Sequence, residues 1–146
     1  MSKLTLRYQY DASFSDPTQP RDDFGWLSVR VETDRFSGNG GFWVQWQDVK
    51  EFGEALNVFS IAADHPIVAE WGFNKLEGDD LRLRIEIAPA DNRGNLNVRF
   101  VVADYDEPDN RARGNFSTNY PDIDAFRAGI ALLMGGQSNE ATLDGR

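Results

Sequence analysis

The sequence predicts an α+β domain in which a mostly antiparallel sheet, or pair of sheets, is covered by two amphipathic helices, one mid-chain and one C-terminal. Three observations predict it. Apolar and polar residues alternate in several short segments, the period of a strand with one buried face. Twice, that period gives way to apolar residues three and four apart, the spacing of a helix with one apolar stripe. Clusters of Gly, Pro, Asp and Asn separate the segments, as turns do. With 146 residues, 40% hydrophobic and 27% charged, the chain is expected to form a single domain over residues 1–146, with a core from about 3 to 134.

The first strand is expected where Leu4, Leu6, Tyr8 and Tyr10 alternate with Lys3, Thr5, Arg7 and Gln9. Asp11 to Asp23, with Pro17 and Pro20 and no periodicity, reads as a long surface connection. Leu27, Val29, Val31 and Thr33 form a second strand, and Phe36-Ser37-Gly38-Asn39-Gly40-Gly41 is expected to turn the chain into a third, Phe42–Trp46. Val49, Phe52, Leu56 and Phe59 then take up the helical period, with Asp48 and Glu51 spaced as a capping box. Ile67 to Phe73 is expected to be a strand. Leu81–Ile87 and Leu96–Val102 should pair as a hairpin about Pro89–Gly94, and another strand covers Ala112 to Asn119. Ile123, Phe126, Ile130 and Leu133 restore the helical period until Gly135-Gly136 stops it, leaving 135–146 as an expected flexible tail.

Asp48-Val49-Lys50-Glu51-Phe52 aligns with Asp122-Ile123-Asp124-Ala125-Phe126 at an offset of 74 residues, and the same offset sets Phe42 on Phe116 and Trp46 on Tyr120. An internal duplication of a β-rich unit ending in strand and helix would produce this. So would two unrelated strands that each enter a capped amphipathic helix, because both need the same local pattern.

Composition narrows the chemistry. The absence of cysteine removes thiolate nucleophiles, thiolate metal sites and disulfides. His65 is the single histidine and sits in a loop-forming Ala63-Asp64-His65-Pro66 run, so neither a His-rich metal site nor a Ser-His-Asp triad is expected. No phosphate-binding loop, dinucleotide fingerprint or nucleophile elbow occurs. A non-enzyme without cofactor or metal is therefore expected. The formal charge of -9 argues against nucleic acid and anionic membranes as partners. No apolar run approaches the roughly 20 residues of a membrane span, and the start of the chain does not read as a signal peptide, so a cytoplasmic protein is expected.

Candidate binding residues fall into two groups. Asp104, Asp106, Glu107 and Asp109, with Glu77, Asp79 and Asp80, form acidic stretches. They could supply oxygen ligands to calcium, but Pro108 breaks the EF-hand spacing and a solvated loop accounts for them equally. Alternation places Trp26 and Trp43 on the outward side of neighbouring strands, and Trp71 is a third candidate aromatic platform. Outward tryptophans would make a contact surface, unless the Asp11–Asp23 connection covers them.

Gly41-Phe42-Trp43-Val44 leading into Asp48-x-x-x-Phe52-x-x-x-Leu56, the strand Leu81–Glu86, Asp91-x-x-Gly94-Asn95-Leu96-Asn97-Val98-Arg99-Phe100 and a closing Asp122-x-x-x-Phe126 helix together resemble small bacterial domains related to WapI-type immunity proteins. That resemblance implies a non-catalytic protein that neutralises a toxin by protein–protein contact, with a basic toxin domain as partner. It carries no site residues. The alternatives are a small-ligand or glycan-binding module using the tryptophans, and a hydrolase using paired carboxylates.

Overall fold

The computed structural model describes residues 1–10, 24–73 and 80–146. The expected Asp11–Asp23 connection and the candidate residues Glu77 and Asp79 lie outside the described residues. Eight strands and two helices follow in the order β1 (Lys3–Tyr10), β2 (Phe24–Glu32), β3 (Ser37–Gln45), α1 (Trp46–Ala55), β4 (Ile67–Gly72), β5 (Leu81–Pro89), β6 (Asn95–Ala103), β7 (Arg111–Asn119), α2 (Tyr120–Met134) and β8 (Glu140–Asp144). The α+β expectation holds: two four-stranded antiparallel sheets carry one helix mid-chain and one near the C-terminus.

The strand orders are β3-β2-β1-β8 and β4-β5-β6-β7. Each sheet therefore takes three consecutive strands from one half of the chain and its fourth from the other half. β8 pairs with β1, Lys3 opposite Asp144, and β4 pairs with β5, Ile67 opposite Ile87. The sequence offset reappears in the elements themselves, because β3 and β7 start 74 residues apart, at Ser37 and Arg111, and the helices start 74 apart, at Trp46 and Tyr120. The repeating unit is three strands, a helix and a further strand that is exchanged between halves.

One core joins the inner faces of both sheets to the apolar stripes of the helices. Leu4, Leu6, Leu27, Val29 and Val31 from one sheet meet Leu83, Ile85, Ile87, Val98 and Phe100 from the other, with Val49 and Phe52 of α1 and Ile123, Phe126 and Ile130 of α2. These side chains supply the main stabilising term, at about 1.5–3 kcal/mol for each large apolar side chain fully buried.

Three sequence expectations are corrected. Gly38-Asn39-Gly40-Gly41 is not a turn but lies inside β3. The turn is at Thr33–Phe36, closed by Thr33 N–H donating to the Phe36 carbonyl at 2.7 Å. The glycines serve packing: a Cβ on Gly38 would stand 2.5 Å from Ala112 Cβ and one on Gly40 2.3 Å from the Ala103 carbonyl oxygen, so β3 approaches the second sheet as only glycine allows. The capping box also fails. α1 begins at Trp46 behind Gln45, which makes no side-chain cap, and Asp48 sits in the first turn. α2 begins at Tyr120, its N-cap Asn119 accepting from the Asp122 N–H at 2.9 Å. Finally, the expected flexible tail contains β8, whose Ala141 and Leu143 are buried. Its five residues are too few for their alternation to stand out against polar neighbours.

Candidate functional site

Strand alternation leaves each sheet with an outer face open to solvent. On the β3-β2-β1-β8 sheet the outward residues come in cross-strand rows set by the register. Gln9, Trp26 and Trp43 form one row, Arg7, Ser28 and Gly41 the next, and Thr5, Arg30 and Asn39 the third. Lys3 opposes Glu32 in the last. β8 extends the face with Glu140 beside Arg7 and Thr142 beside Thr5.

The aromatic end of this face is built around a glycine. A Cβ on Gly41 would lie 2.4 Å from the Trp26 ring, so the bare backbone of β3 is what lets the indole lie flat across it. Trp26 and Trp43 meet edge to face with centroids 5.2 Å apart. Trp43 stays 45% exposed, and Phe24, outward on the same strand as Trp26, is 44% exposed. Beneath them Tyr105 reaches over from the β6–β7 connection, 5.4 Å from Trp26 and 5.5 Å from Phe42. Phe73 packs 5.2 Å from Phe42, and the buried Arg82 lies 5.0 Å from the Phe73 ring while its Nε donates to the Tyr105 carbonyl at 3.2 Å. Trp26 is thus fixed from below, and its neighbours Trp43 and Phe24 offer free ring surface.

Beginning one row from the tryptophans, a polar groove of about 310 Å³ lies along the sheet, lined by Lys3, Arg7 and Arg30, by the carboxylates of Glu32 and Glu140, and by neutral polar side chains. Lys3 has no ion-pair partner among the described residues. Arg7 pairs with Glu140 at 2.9 Å and Arg30 with Glu32 at 2.8 Å. Both arginine side chains are more than 60% exposed, and ion pairs this open to water contribute about 0–1 kcal/mol, so an anionic ligand can exchange for them at little cost.

The second sheet presents a different outer face. Arg84, Val101 and Arg113 share one row, and Glu86, Arg99 and Asn115 the next. Arg84 is held by Glu70 at 3.1 Å and Glu86 at 3.4 Å. Partial burial works against its charge, but the hydrogen bonds to the two carboxylates outweigh that and keep the guanidinium above its ordinary pKa.

Of the residues singled out from the sequence, the structure brings Trp26 and Trp43 together and places Tyr105, inside the acidic stretch, against Trp26. Trp71 is corrected as a contact residue: it is 6% exposed, points into the core and meets Phe52 edge to face. Asp104 accepts from the Asp106 N–H at 3.3 Å, and the connection closes on itself through Asp104 N–H to the Asn110 carbonyl at 2.9 Å. Asp106, Glu107 and Asp109 lie on that connection and Asp80 is exposed just before β5. No group of three or more acidic or histidine side chains converges on a metal position among the described residues. His65 is exposed in the turn before β4. Charge summed over the sequence passes over Lys3, Arg7 and Arg30, although the alternation that places Trp26 outward places them on the same face.

No family model and no curated protein matches the chain. Solved structures with a similar fold include two of plant proteins. One is WHY3 from Arabidopsis thaliana, with a TM-score of 0.51 and 10% identity over 91% of this chain and 80% of that one. The other is the plant transcriptional regulator PBF-2, with a TM-score of 0.47 and 13% identity over 91% of this chain and 75% of that one. At such identities the likeness is one of fold.

These findings correct the functional expectation. The chain shares its fold with WHY3 from Arabidopsis thaliana, a likeness that lends toxin immunity no support. Toxin immunity, a basic toxin domain as partner and the exclusion of nucleic acid do not stand. Toxin immunity rested on a resemblance carried by structural motifs alone, and the exclusion of nucleic acid rested on the net charge of -9. Net charge sums over the whole surface, whereas a ligand senses charges within a Debye length of about 8–10 Å. Much of the acid here lies on helices and connections, including Asp48, Glu51, Glu54, Asp91, Asp106, Glu107, Asp109 and Asp124, while Lys3, Arg7, Arg30, Arg84, Arg99 and Arg113 lie on the sheets.

Proposed function

We propose that the chain binds single-stranded nucleic acid across the outer face of the β3-β2-β1-β8 sheet, with bases stacked on Trp43 and Phe24 and the backbone following the groove past Arg7, Arg30 and Lys3. The observation that carries this reading is the pair of nearly half-exposed aromatic rings at one end of a polar, cation-bearing groove on the same sheet. Binding without sequence preference needs those two components, a stacking platform for π-faces and cations for phosphates.

A single strand fits better than a duplex because a duplex keeps its base faces stacked internally and offers nothing for Trp43 to cover. Among the described residues this face carries no helix that would enter a major groove. In this reading the chain is a binding protein and not a catalyst.

The test is titration of the protein with a fluorescently labelled oligothymidylate and with a duplex of equal length, following intrinsic tryptophan emission together with anisotropy. Quenching by the single strand that is weaker for the duplex and reduced in Trp43→Ala supports the reading. Unchanged emission at protein excess and ligand excess alike would remove it.

A further inference from the structure

We infer that the outer face of the β4-β5-β6-β7 sheet is a second interface that holds the phosphate backbone of a further nucleic-acid strand without contacting its bases. This rests on the reading of the first face given above.

The argument begins with the repeat. The 74-residue offset carries Trp43 to Ser117, and the cross-strand partner of Ser117 is Asn97, as the partner of Trp43 is Trp26. The two halves share one architecture, yet where the first face has its stacking pair the second has two small polar side chains. No aromatic ring of the described residues is exposed on the outer face of β5, β6 or β7. The second face cannot hold bases by stacking.

It is well equipped for phosphate. Asn39 of the first face corresponds by the same offset to Arg113, and Arg99 is paired with Asn115, one row along. Arg99 and Arg113 are therefore diagonal neighbours on adjacent strands, a relationship that sets such positions about 7–8 Å apart. Both are exposed, and neither makes a hydrogen bond or ion pair among the described residues. Across Val101 from Arg113 stands Arg84, oriented by Glu70 and Glu86. Two unpaired guanidinium groups beside a fixed third surround a shallow depression of about 400 Å³. Guanidinium is the group best matched to phosphate oxygens because its planar fork donates in pairs. An aromatic-free arginine face takes up backbone whatever its bases, and its occupant in this inference is a second single strand.

The two faces are outer faces of different sheets, separated by the shared core, so one molecule presents two interfaces pointing away from each other. That arrangement suits holding two strands at once.

The experiment compares the wild-type chain with Arg99→Ala/Arg113→Ala and with Arg99→Glu/Arg113→Glu, both positions being exposed and outside the core. Oligothymidylate binding is followed by tryptophan quenching, which reports the first face, and by native mass spectrometry, which counts strands. Wild type is expected to bind two strands, and the double alanine variant one, with quenching intact. In wild type the second strand should be released by salt with a log–log slope of at least about 1.4, at roughly 0.7 for each of the two phosphates that Arg99 and Arg113 neutralise. The glutamate pair should abolish the second strand and leave the first.

Unchanged strand count and salt dependence in both variants, with quenching intact, would overturn this inference and leave the first face standing. Binding of one strand that the arginine variants abolish, without tryptophan quenching at any stage, would overturn the first-face reading and reduce the molecule to a single interface, which overturns the inference as well. Absence of any binding would overturn both.

Discussion

Trp26 and Trp43 face each other across β2 and β3, their ring centroids 5.2 Å apart and their planes at 69°, and they differ in what lies beneath them. Trp26 rests on the backbone of Gly41 and against Tyr105, whereas Trp43 touches the pair from outside. Trp43→Ala is therefore expected to cost at most about 1.5 kcal/mol of stability, the worth of an aromatic pair. It should weaken single-strand binding by about 1–3 kcal/mol, the range for one stacked base. Trp26→Ala should cost more stability than Trp43→Ala. Urea unfolding and anisotropy titration of the two variants side by side would check the difference.

Gly40→Ala tests why β3 is rich in glycine. In an ordinary strand the change would gain about 0.5–1 kcal/mol by restricting the unfolded chain. Here the new methyl would meet the Ala103 carbonyl at 2.3 Å, and the sheets must separate to admit it. A loss of about 1–3 kcal/mol is expected, the usual cost of overpacking, read as a lower midpoint in thermal unfolding.

Asp91 organises the β5–β6 hairpin. Its Oδ1 accepts from the Arg93 N–H at 2.8 Å and the Asn95 N–H at 3.2 Å, and its Oδ2 from Asn95 Nδ2 at 2.6 Å. The Asn95 amide, followed by the Arg93 backbone, lowers its pKa below the ordinary carboxylate value. A carboxylate whose pKa is depressed by folding contributes stability that is complete above the unfolded value near 3.9 and is lost as pH falls through the lower folded value. Hydrogen exchange at Arg93 and Asn95, measured over a descending pH series and corrected for intrinsic rates, should lose protection only in that acid range. Asp91→Ala should show the weaker protection already at neutral pH.

Strand exchange between the halves predicts how the chain tolerates cutting. Fragments 1–76 and 77–146 each hold three strands, a helix and a strand that belongs in the other's sheet. Each alone should be largely unfolded by circular dichroism, and mixing them should restore the native spectrum with a concentration-dependent midpoint. Leu143→Ala, at a position fully buried on β8, is expected to cost about 2–5 kcal/mol in the intact chain.

The helix starts differ in a way that can be corrected. Asn119 caps α2, whereas Gln45, its counterpart 74 residues earlier, makes no side-chain cap on α1. Asn119→Ala should lose about 1 kcal/mol, and Gln45→Asn should gain up to that amount. Denaturant midpoints of the two variants would show opposite shifts.

The period of two locates β1, β2, β5 and β6 because their inward residues are mostly large and apolar, and the helical period locates both helices through Val49, Phe52, Ile123 and Phe126. β3 escapes in part, since Gly38 and Gly40 occupy inward positions where the pattern expects an apolar side chain, and the reason is a strand from the other half that no local window contains. β8 escapes because its pairing with β1 spans nearly the whole chain. At the site, Trp26 and Trp43 are legible from alternation and Trp71 is not, since its inward direction depends on which side of β4 meets the core. The acidic residues dominate any reading of total charge, and the sheet arginines go unweighed because net charge carries no positions.

β1 has two neighbours made at very different times. β2 follows it within tens of residues, whereas the Asp144 that pairs with Lys3 is translated some 140 residues later. At about 5–20 residues per second that interval is on the order of ten seconds. Until then one edge of β1, with its row of unpaired N–H and C=O groups, stays open on the emerging chain and can recruit a strand from another nascent molecule. Ribosome-bound intermediates of this protein should therefore need a chaperone to shield that edge, and the need should end when β8 docks.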